Sequence, residues 1–399
     1  TNLSHGVIDR ASLSVVGRAP ASDPSRILAS TLEGKVAVRD VTARYFQELP
    51  AVTGISGDGV TDGRSFTVTT RGGSVRDLVL APGTVEISRL DTPQEWIALD
   101  MPFSGPLATA LAVLDHPPLG YARKFHIDPT RTQGTTEGKL HFYFPLIRRL
   151  EIEDIEVGAQ ATLRKVAIPE VREGLSVSGG DLTLSLDRSG MDVAGTSQVN
   201  GIATALEWHE AFADDAPVNT RIHLRGAPSA AELARAGWDV SSYLTEGAVG
   251  TDAVLTINRA KATGIELTLD LGGSRLEVPE LEWRKPAGVP GRARIEAKVA
   301  PGSGRPIQLP VVRVDAGDLV LRGNLTLAPK GAGLEMLREQ ERIDEWLKKM
   351  SKRVEYVPKD RQEGEPERLP HLAHGLLDVD RFVVVEDHLD ARRQRLGGR

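Results

Sequence analysis

Apolar and polar residues alternate along much of the chain, as they do in strands with one side buried and one side in water. In the run from Ser65 to Thr69, Phe66 and Val68 lie between residues with hydroxyl groups. Comparable strand-like runs occur at 77–80, 85–87, 140–144, 181–186, 266–271 and 318–321. A period of two places the apolar residues of a strand on one face of a sheet. We therefore predict a mainly β fold, an elongated and curled antiparallel sheet that forms an apolar groove, with short helical insertions and a C-terminal helix.

Four segments are predicted to be helical instead, one of them a short helix over 119–125. Residues 106–114 begin with proline and carry three leucines on one face, which predicts a helix. Ser229 and Glu232 form a capping-box pattern at the start of a second helix, over 229–236. A third, amphipathic helix is predicted over 334–350, before a charged linker at 359–368.

Glycine pairs divide the strand-like runs. Gly72–Gly73, Gly179–Gly180 and Gly272–Gly273 each lie between two such runs, and no helix follows them. A phosphate-binding loop would need that helix, so we interpret the three pairs as turns between strands.

The stretch from residue 119 to residue 171 recurs about a hundred residues later in the chain. Both copies contain a glycine followed by an aromatic residue, a second glycine, a strand-like run, and Pro-Glu between aliphatic residues. The offset between equivalent residues drifts from 117 to 113 to 110 at Gly120 and Gly237, Gly134 and Gly247, and 168–171 and 278–281. This predicts a chain built from modules: a β-meander at 1–105, helix-plus-sheet modules at 106–228 and 229–330, and the helix, linker and tail at 331–399.

Composition narrows the function. The chain has 399 residues, of which 40% are hydrophobic, 26% charged and only 5% aromatic, so the apolar face is mainly aliphatic. The net charge of −6 gives no electrostatic reason to bind nucleic acid. No cysteine is present, which removes disulfides and thiol chemistry. There is no run of 18 apolar residues and no signal-peptide pattern, and we expect a mature segment or a section of a longer protein.

A search for catalytic motifs finds no phosphate-binding loop, no zinc-protease helix and no nucleophile elbow. His371 and His374 have a spacing that could bind a metal, but Pro370 and Gly375 flank them, which favours a solvated loop. The acidic pair at 214–215 is interpreted as part of a polar turn. We therefore expect no enzymatic activity, no cofactor and no metal site.

The repeat resembles the AsmA-like proteins, and specifically the YhdP-type family of Gram-negative bacteria. The similarity extends over about residues 30 to 330 and rests on residues 116–123, 238–247 and 279–290. It implies a periplasmic part of a protein anchored in the inner membrane, with a curled β-sheet that encloses an apolar groove. Such a protein would move phospholipid towards the outer membrane and would contact the membranes through parts outside this chain.

The cost of exposing lipid to water leads to the same expectation. A lipid tail in water costs about 0.8 kcal/mol per CH₂, and an aliphatic groove removes most of that cost without any catalytic group. The partner is therefore expected to be the acyl chains of phospholipids. The residues expected to line the groove are Phe66, Val68, Phe142, Phe144, Leu182, Leu184, Leu186, Leu267, Leu269 and Leu271.

Two alternatives stay open at this point. The chain could be a structural or adaptor module of the cell envelope whose apolar face is filled by its own side chains. It could also be a β-rich enzyme that acts on polysaccharide, although no cluster of carboxylates points to one. The discriminating residues are Phe66, Phe142, Phe144, Leu184, Leu186, Leu267 and Leu269. If they line an accessible face, lipid is favoured, whereas a sealed core favours the structural module.

Overall fold

The structure is a computed structural model, and it describes residues 3–18, 28–44, 49–116, 120–124, 127–147, 150–151, 154–172, 175–213, 215–301, 307–327, 354–356 and 382–384. Strands make up 65% of it and helices 8%, and the strands form an antiparallel, curled sheet with few short helices. The prediction of a mainly β fold with a curled antiparallel sheet and short helical insertions is confirmed, and the groove stays a prediction. The predicted helix at 334–350, the linker at 359–368 and the histidines at 371 and 374 lie outside the described residues.

The chain divides into two compact units, and the first contains residues 1–200 and 206–216. Its strands are β1 (Leu3–Ser4), β2 (Val7–Arg18), β3 (Leu28–Ala43), β4 (Val52–Thr61), β5 (Phe66–Val75), β6 (Leu78–Leu80), β7 (Thr84–Ser88), β8 (Trp96–Pro106), β9 (Gln133–Pro145), β10 (Glu156–Arg172), β11 (Leu175–Leu186), β12 (Gly190–Val199) and the later part of β13 (Ile202–Ala211). From β2 to β5 and from β7 to β12, each strand pairs antiparallel with the next. The short β6 pairs with β5 and β8.

The helical insertion of this unit lies between β8 and β9. Helix α1 (Leu107–Leu114) begins after Pro106, and α2 (Tyr121–Lys124) follows it. A 3₁₀ turn at Pro129–Arg131 then leads into β9, with the Asp128 carboxylate accepting a hydrogen bond from the N–H of Thr130 at 2.9 Å. The helix predicted over 106–114 is therefore confirmed.

The second unit contains residues 201–205 and 217–399. Its main strands are β14 (Thr220–Gly226), β16 (Gly250–Ile257), β17 (Thr263–Asp270), β20 (Gly291–Val299), β21 (Ile307–Ala316) and β22 (Leu319–Leu327). They pair antiparallel in that order. The short β23 (Val354–Tyr356) and β24 (Phe382–Val384) pair with each other, and β24 pairs parallel with β22.

Helix α3 (Ala230–Arg235) follows β14, and its capping box is confirmed. The Ser229 hydroxyl accepts a hydrogen bond from the Glu232 N–H at 3.4 Å, and the Ser229 N–H donates to the Glu232 carboxylate at 2.9 Å. A separate small sheet contains β15 (Leu244–Glu246), β18 (Arg275–Val278) and β19 (Trp283–Lys285).

The two copies of the repeat agree in their first half. The glycines before the aromatic residues, Gly120 and Gly237, both have positive φ, at 60° and 92°. The second pair, Gly134 and Gly247, has φ of 119° and 82°. In each copy a helical insertion precedes the strand-like run, which is part of β9 in the first copy and of β16 in the second.

The copies differ in their second half, which corrects the predicted equivalence there. Residues 168–171 continue the long strand β10, whereas Val278 ends β18 and residues 279–281 form a 3₁₀ turn. The second copy leaves the main sheet after Asp270 and builds the small sheet before it returns. The division into four modules along the chain stays a prediction.

Two of the three glycine pairs are also not the predicted turns. Gly72–Gly73 lies within β5 and Gly179–Gly180 within β11, and the pairing register shifts near both. Gly72 has φ of 142° and Gly179 has φ of 59°, so they allow bulges that keep the strands continuous. Gly272–Gly273 is a turn, as predicted.

Candidate lipid-binding faces

The first apolar face belongs to the first unit and follows from its pairing register. Residues directly opposite each other in paired strands point to the same side of the sheet. Leu99 of β8 lies opposite Phe142 of β9, which lies opposite Val157 of β10. We define the first apolar face by the residues on this side: Phe66, Val68, Val85, Ile87, Ile97, Leu99, Leu140, Phe142, Phe144, Val157, Leu163, Leu182, Leu184, Leu186, Met191 and Val193.

The second apolar face belongs to the second unit and is built in the same way. Across five strands, Leu224 lies opposite Ala253, then follow Leu267, Ile295 and Val312. We define this face by the residues Ile222, Leu224, Ala253, Leu255, Ile265, Leu267, Leu269, Leu271, Ala293, Ile295, Val312, Val314, Leu319 and Leu321.

The ten predicted lining residues all lie on these faces, seven on the first and three on the second. Buried among them are Phe144, Leu182 and Leu271, with 6–7% of their surface exposed. The other seven are half-buried: Phe66, Val68, Phe142, Leu184, Leu186, Leu267 and Leu269. Seven of the ten predicted residues are therefore partly covered by neighbouring residues and keep part of their surface accessible to solvent. Their role in lining a lipid groove stays a prediction.

The opposite sides of both sheets are polar. On the first unit, the Asp100 carboxylate lies 3.2 Å from His141 Nδ1 and 3.4 Å from Lys139 Nζ. Burial acts to raise the pKa of Asp100, but the hydrogen bond and charge of His141, and then those of Lys139, outweigh it and lower the pKa. On the second unit, Arg294 pairs with Glu296 at 2.8 Å and with Glu266 at 3.5 Å. Each sheet therefore has one apolar side and one polar side.

Part of each apolar face is covered by the unit's own chain. On the first face, Phe144 is buried in a cluster with Ile155 and Val157, and Leu150 packs against them. Because residues 150 and 155 belong to the connection after β9, that connection covers the end of the face near Phe144.

The cover on the second face is larger, and we call it the cap. It consists of α3, β15, β18 and β19. Leu244 and Trp283 of the cap form one buried cluster with Leu271, Ala293 and Leu321 of the second face. Leu269 packs against the same cluster, so it lies beneath the cap instead of on open surface.

Sequence reasoning missed this cap. The only local signals are Trp283 and a series of prolines at 279, 286 and 290, which indicate an irregular excursion from the sheet. The alternating pattern of Leu267, Leu269 and Leu271 is uniform, so it cannot distinguish a position under the cap from one in the open.

Metal-binding clusters and membrane-spanning helices are two further features that bear on the function of the described residues. Within the part of the chain that the structure describes, no group of three or more His, Asp or Glu side chains is placed to hold a metal ion. No helix of that part is long and apolar enough to cross a membrane. What the arrangement offers chemically is aliphatic contact on one side and hydration on the other.

Comparison with known proteins assigns the class. The sequence model of the family described as YhdP protein matches residues 1–391, and the chain belongs to this family. YhdP is an envelope protein family, and membership suggests envelope lipid transport. No curated protein and no solved structure matches the chain.

Proposed function

We propose that this chain is a non-enzymatic, periplasmic segment that carries phospholipid between membranes, with acyl chains held along its apolar faces and headgroups in water. The observation that carries the proposal is that half-buried aliphatic residues lie opposite one another from strand to strand, such as Leu224, Leu267 and Ile295. Membership of the YhdP family supports the same function.

The energetics favour acyl chains as the ligand. Each CH₂ removed from water contributes about 0.8 kcal/mol, so a tail of about sixteen carbons contributes on the order of 10 kcal/mol when it is fully covered. Aliphatic contact has no direction, so one face accepts tails of different length and saturation. The polar sides, with pairs such as Arg294 and Glu296, keep the sheets hydrated.

The proposal includes no reaction step and no cofactor. Contact with the membranes themselves belongs to parts of the protein outside this chain, and nucleic acid is not a partner of a chain with a net charge of −6.

A structural module of the envelope is the second candidate. The observation that favours it is the burial of Phe144 beneath the connection after β9, and of Leu271 beneath the cap. If such covering extended over both faces, no surface would be left for lipid. The half-buried state of Leu184 and Leu267 favours the lipid function instead.

The test places a carboxylate on each open apolar surface. In the double variant Leu184→Asp and Leu267→Asp, a charge stands where the acyl chains would lie, and burying an unpaired charge is strongly unfavourable. We expect at least about fivefold less phospholipid per chain, measured by native mass spectrometry and lipid extraction after incubation with phosphatidylethanolamine vesicles.

The matched control changes the next residue of each strand, Ser185→Asp and Thr268→Asp. These side chains point to the polar side, because Ser185 lies opposite Asp192 and Thr268 opposite Arg294. The control should bind as much lipid as the unmodified chain, and circular dichroism should show that both variants fold. Equal lipid in both folded variants, or none in the unmodified chain, would contradict the proposal.

A further inference from the structure

The part of the cap formed by β18 and β19 joins the main sheet through two chain segments, which we call the neck. Residues 271–274 lead from β17 into β18, and residues 286–290 lead from β19 back into β20. The Leu271 N–H donates to the Gly291 carbonyl at 2.9 Å, and the Gly288 N–H donates to the Gly272 carbonyl at 2.8 Å. The two segments therefore run side by side where the cap meets the main sheet.

Lys285 joins the two segments of the neck by hydrogen bonds. Its Nζ donates to the Ser274 carbonyl of the first segment at 2.8 Å, and to the Pro286 and Val289 carbonyls of the second at 3.1 and 2.9 Å. Its three donors thus have three acceptors, while the residue is only 1% exposed. Burial lowers the pKa of Lys285 and the charge of Asp270 opposes that shift.

A second hydrogen bond joins β19 of the cap to the main sheet. The indole N–H of Trp283 donates to the Asp318 carboxylate at 2.7 Å, and Asp318 lies in the turn between β21 and β22. Trp283 itself is 5% exposed and belongs to the buried cluster under the cap. The neck and the hydrogen bond of Trp283 together hold β18 and β19 of the cap against the main sheet.

The cap divides the second apolar face into two parts. Beneath it, Ala293, Leu319 and Leu321 are 2–4% exposed, so no ligand reaches them. On the neighbouring strands β16 and β17, Leu255 and Leu267 are half-buried, and neither belongs to the cluster under the cap. The boundary falls within one strand, between Leu267 and Leu269 of β17.

We propose that the cap is a fixed partition that limits how many acyl chains the second apolar face holds, and that Lys285 is the positioning residue that keeps it in place. This inference rests on the proposed lipid-carrying function. It adds that the cap sets the number of acyl chains that the second apolar face can hold. A neutral side chain of similar length at position 285 would leave the carbonyls of Ser274, Pro286 and Val289 without this donor and would loosen the contact between the two segments of the neck.

The test compares the unmodified chain with Lys285→Met. Hydrogen exchange followed by mass spectrometry reads the opening of the cap at 275–285, and β17 at 263–270 is the internal reference. Native mass spectrometry counts the phospholipids bound after incubation with phosphatidylethanolamine vesicles. We expect faster exchange in the cap, little change in β17, and at least one additional bound phospholipid per chain.

A second variant allows the proposal to be tested if Lys285→Met does not fold. Asp318→Ala removes the exposed partner of Trp283 without touching the neck, and it should loosen the cap and raise the lipid number in the same direction as Lys285→Met.

Each result that differs from these expectations contradicts a different part of the proposal. Faster cap exchange with an unchanged lipid number in both variants would overturn the partition, because a merely structural role loosens the cap without creating capacity. Unchanged exchange in Lys285→Met would overturn the positioning role of Lys285. An unmodified chain that binds no phospholipid would contradict the proposed function itself.

Discussion

Phe66 and Gly59 illustrate how single residues shape an apolar face. A Cβ atom on Gly59 would lie 2.8 Å from Cζ of Phe66 and 2.8 Å from Cγ1 of Val36, so the ring of Phe66 occupies the space above the glycine. The sequence places Phe66 on the apolar side of its strand. It does not reveal that the ring packs on a glycine of the neighbouring strand, because that contact depends on pairing between strands.

Four aspartates in turns give a residue-scale prediction about pH. The Asp62 carboxylate accepts hydrogen bonds mainly from the Ser65 N–H, and the carboxylates of Asp128, Asp187 and Asp239 mainly from the hydroxyl group two residues ahead. These bonds lower the pKa of each group below the ordinary value of 3.8.

The sign of the effect follows from linkage. A carboxylate with a lowered pKa in the folded state stabilises the fold fully above the ordinary value, and this contribution is lost as pH falls through the folded value. Replacing all four aspartates by asparagine keeps a side-chain acceptor in each turn and removes the titration. We expect the melting temperature of this variant to fall less than that of the unmodified chain between about pH 5 and about pH 2. Parallel curves would contradict the assignment.

At the scale of elements, the strands are longer than their sequence patterns suggest. Gly179 in β11 has φ of 59° and adds an exposed residue, after which Gly180 is buried again. A glycine pair can adopt the positive φ that occurs both in turns and in bulges. Local composition therefore cannot distinguish a turn from a bulge. The pairing of β10 and β11 on both sides of the shift identifies the bulge.

Strand β2 gives the prediction at this scale. Among the strands that the structure describes, it pairs with β3 alone, and Ile8, Leu13 and Val15 are 67%, 68% and 53% exposed. An open edge with exposed apolar side chains favours strand pairing between molecules. We expect Leu13→Lys with Val15→Lys to reduce concentration-dependent association in light scattering.

The control for this prediction is Val79→Lys, which changes a residue that is 58% exposed on a strand paired on both sides. It should leave association unchanged. If both variants associate like the unmodified chain, the edge of β2 is not the site of contact.

At the scale of the molecule, alternation was enough to predict an amphipathic β-protein. The period of Leu182, Leu184 and Leu186 predicts a strand with one apolar side, and Ser229 with Glu232 marks the start of α3, because both signals lie within a few residues. The cap could not be predicted. Lys285 and Ser274 are eleven positions apart and Trp283 and Asp318 thirty-five, and neither pair follows a local periodicity.

The same distinction applies to the candidate site. Sequence assigns Leu267 and Leu269 to one face, and the pairing of β17 with β20 agrees with that assignment. Whether a residue on that face is accessible depends on what covers it, and the covering chain comes from a different part of the sequence. Leu267 is therefore the better test position, since Leu269 packs under the cap.

The central claim is that acyl chains lie on the apolar faces and not on the polar sides. The most direct measurement is photo-crosslinking with a phospholipid that carries a diazirine in its acyl chain, followed by peptide mapping of the adducts. We predict adducts on residues of the accessible apolar surface, such as Leu184, Leu186 and Leu267, and few beneath the cap at Leu319 and Leu321. Adducts concentrated on the polar side, at residues such as Ser185 and Thr268, or no adducts at all, would contradict the account.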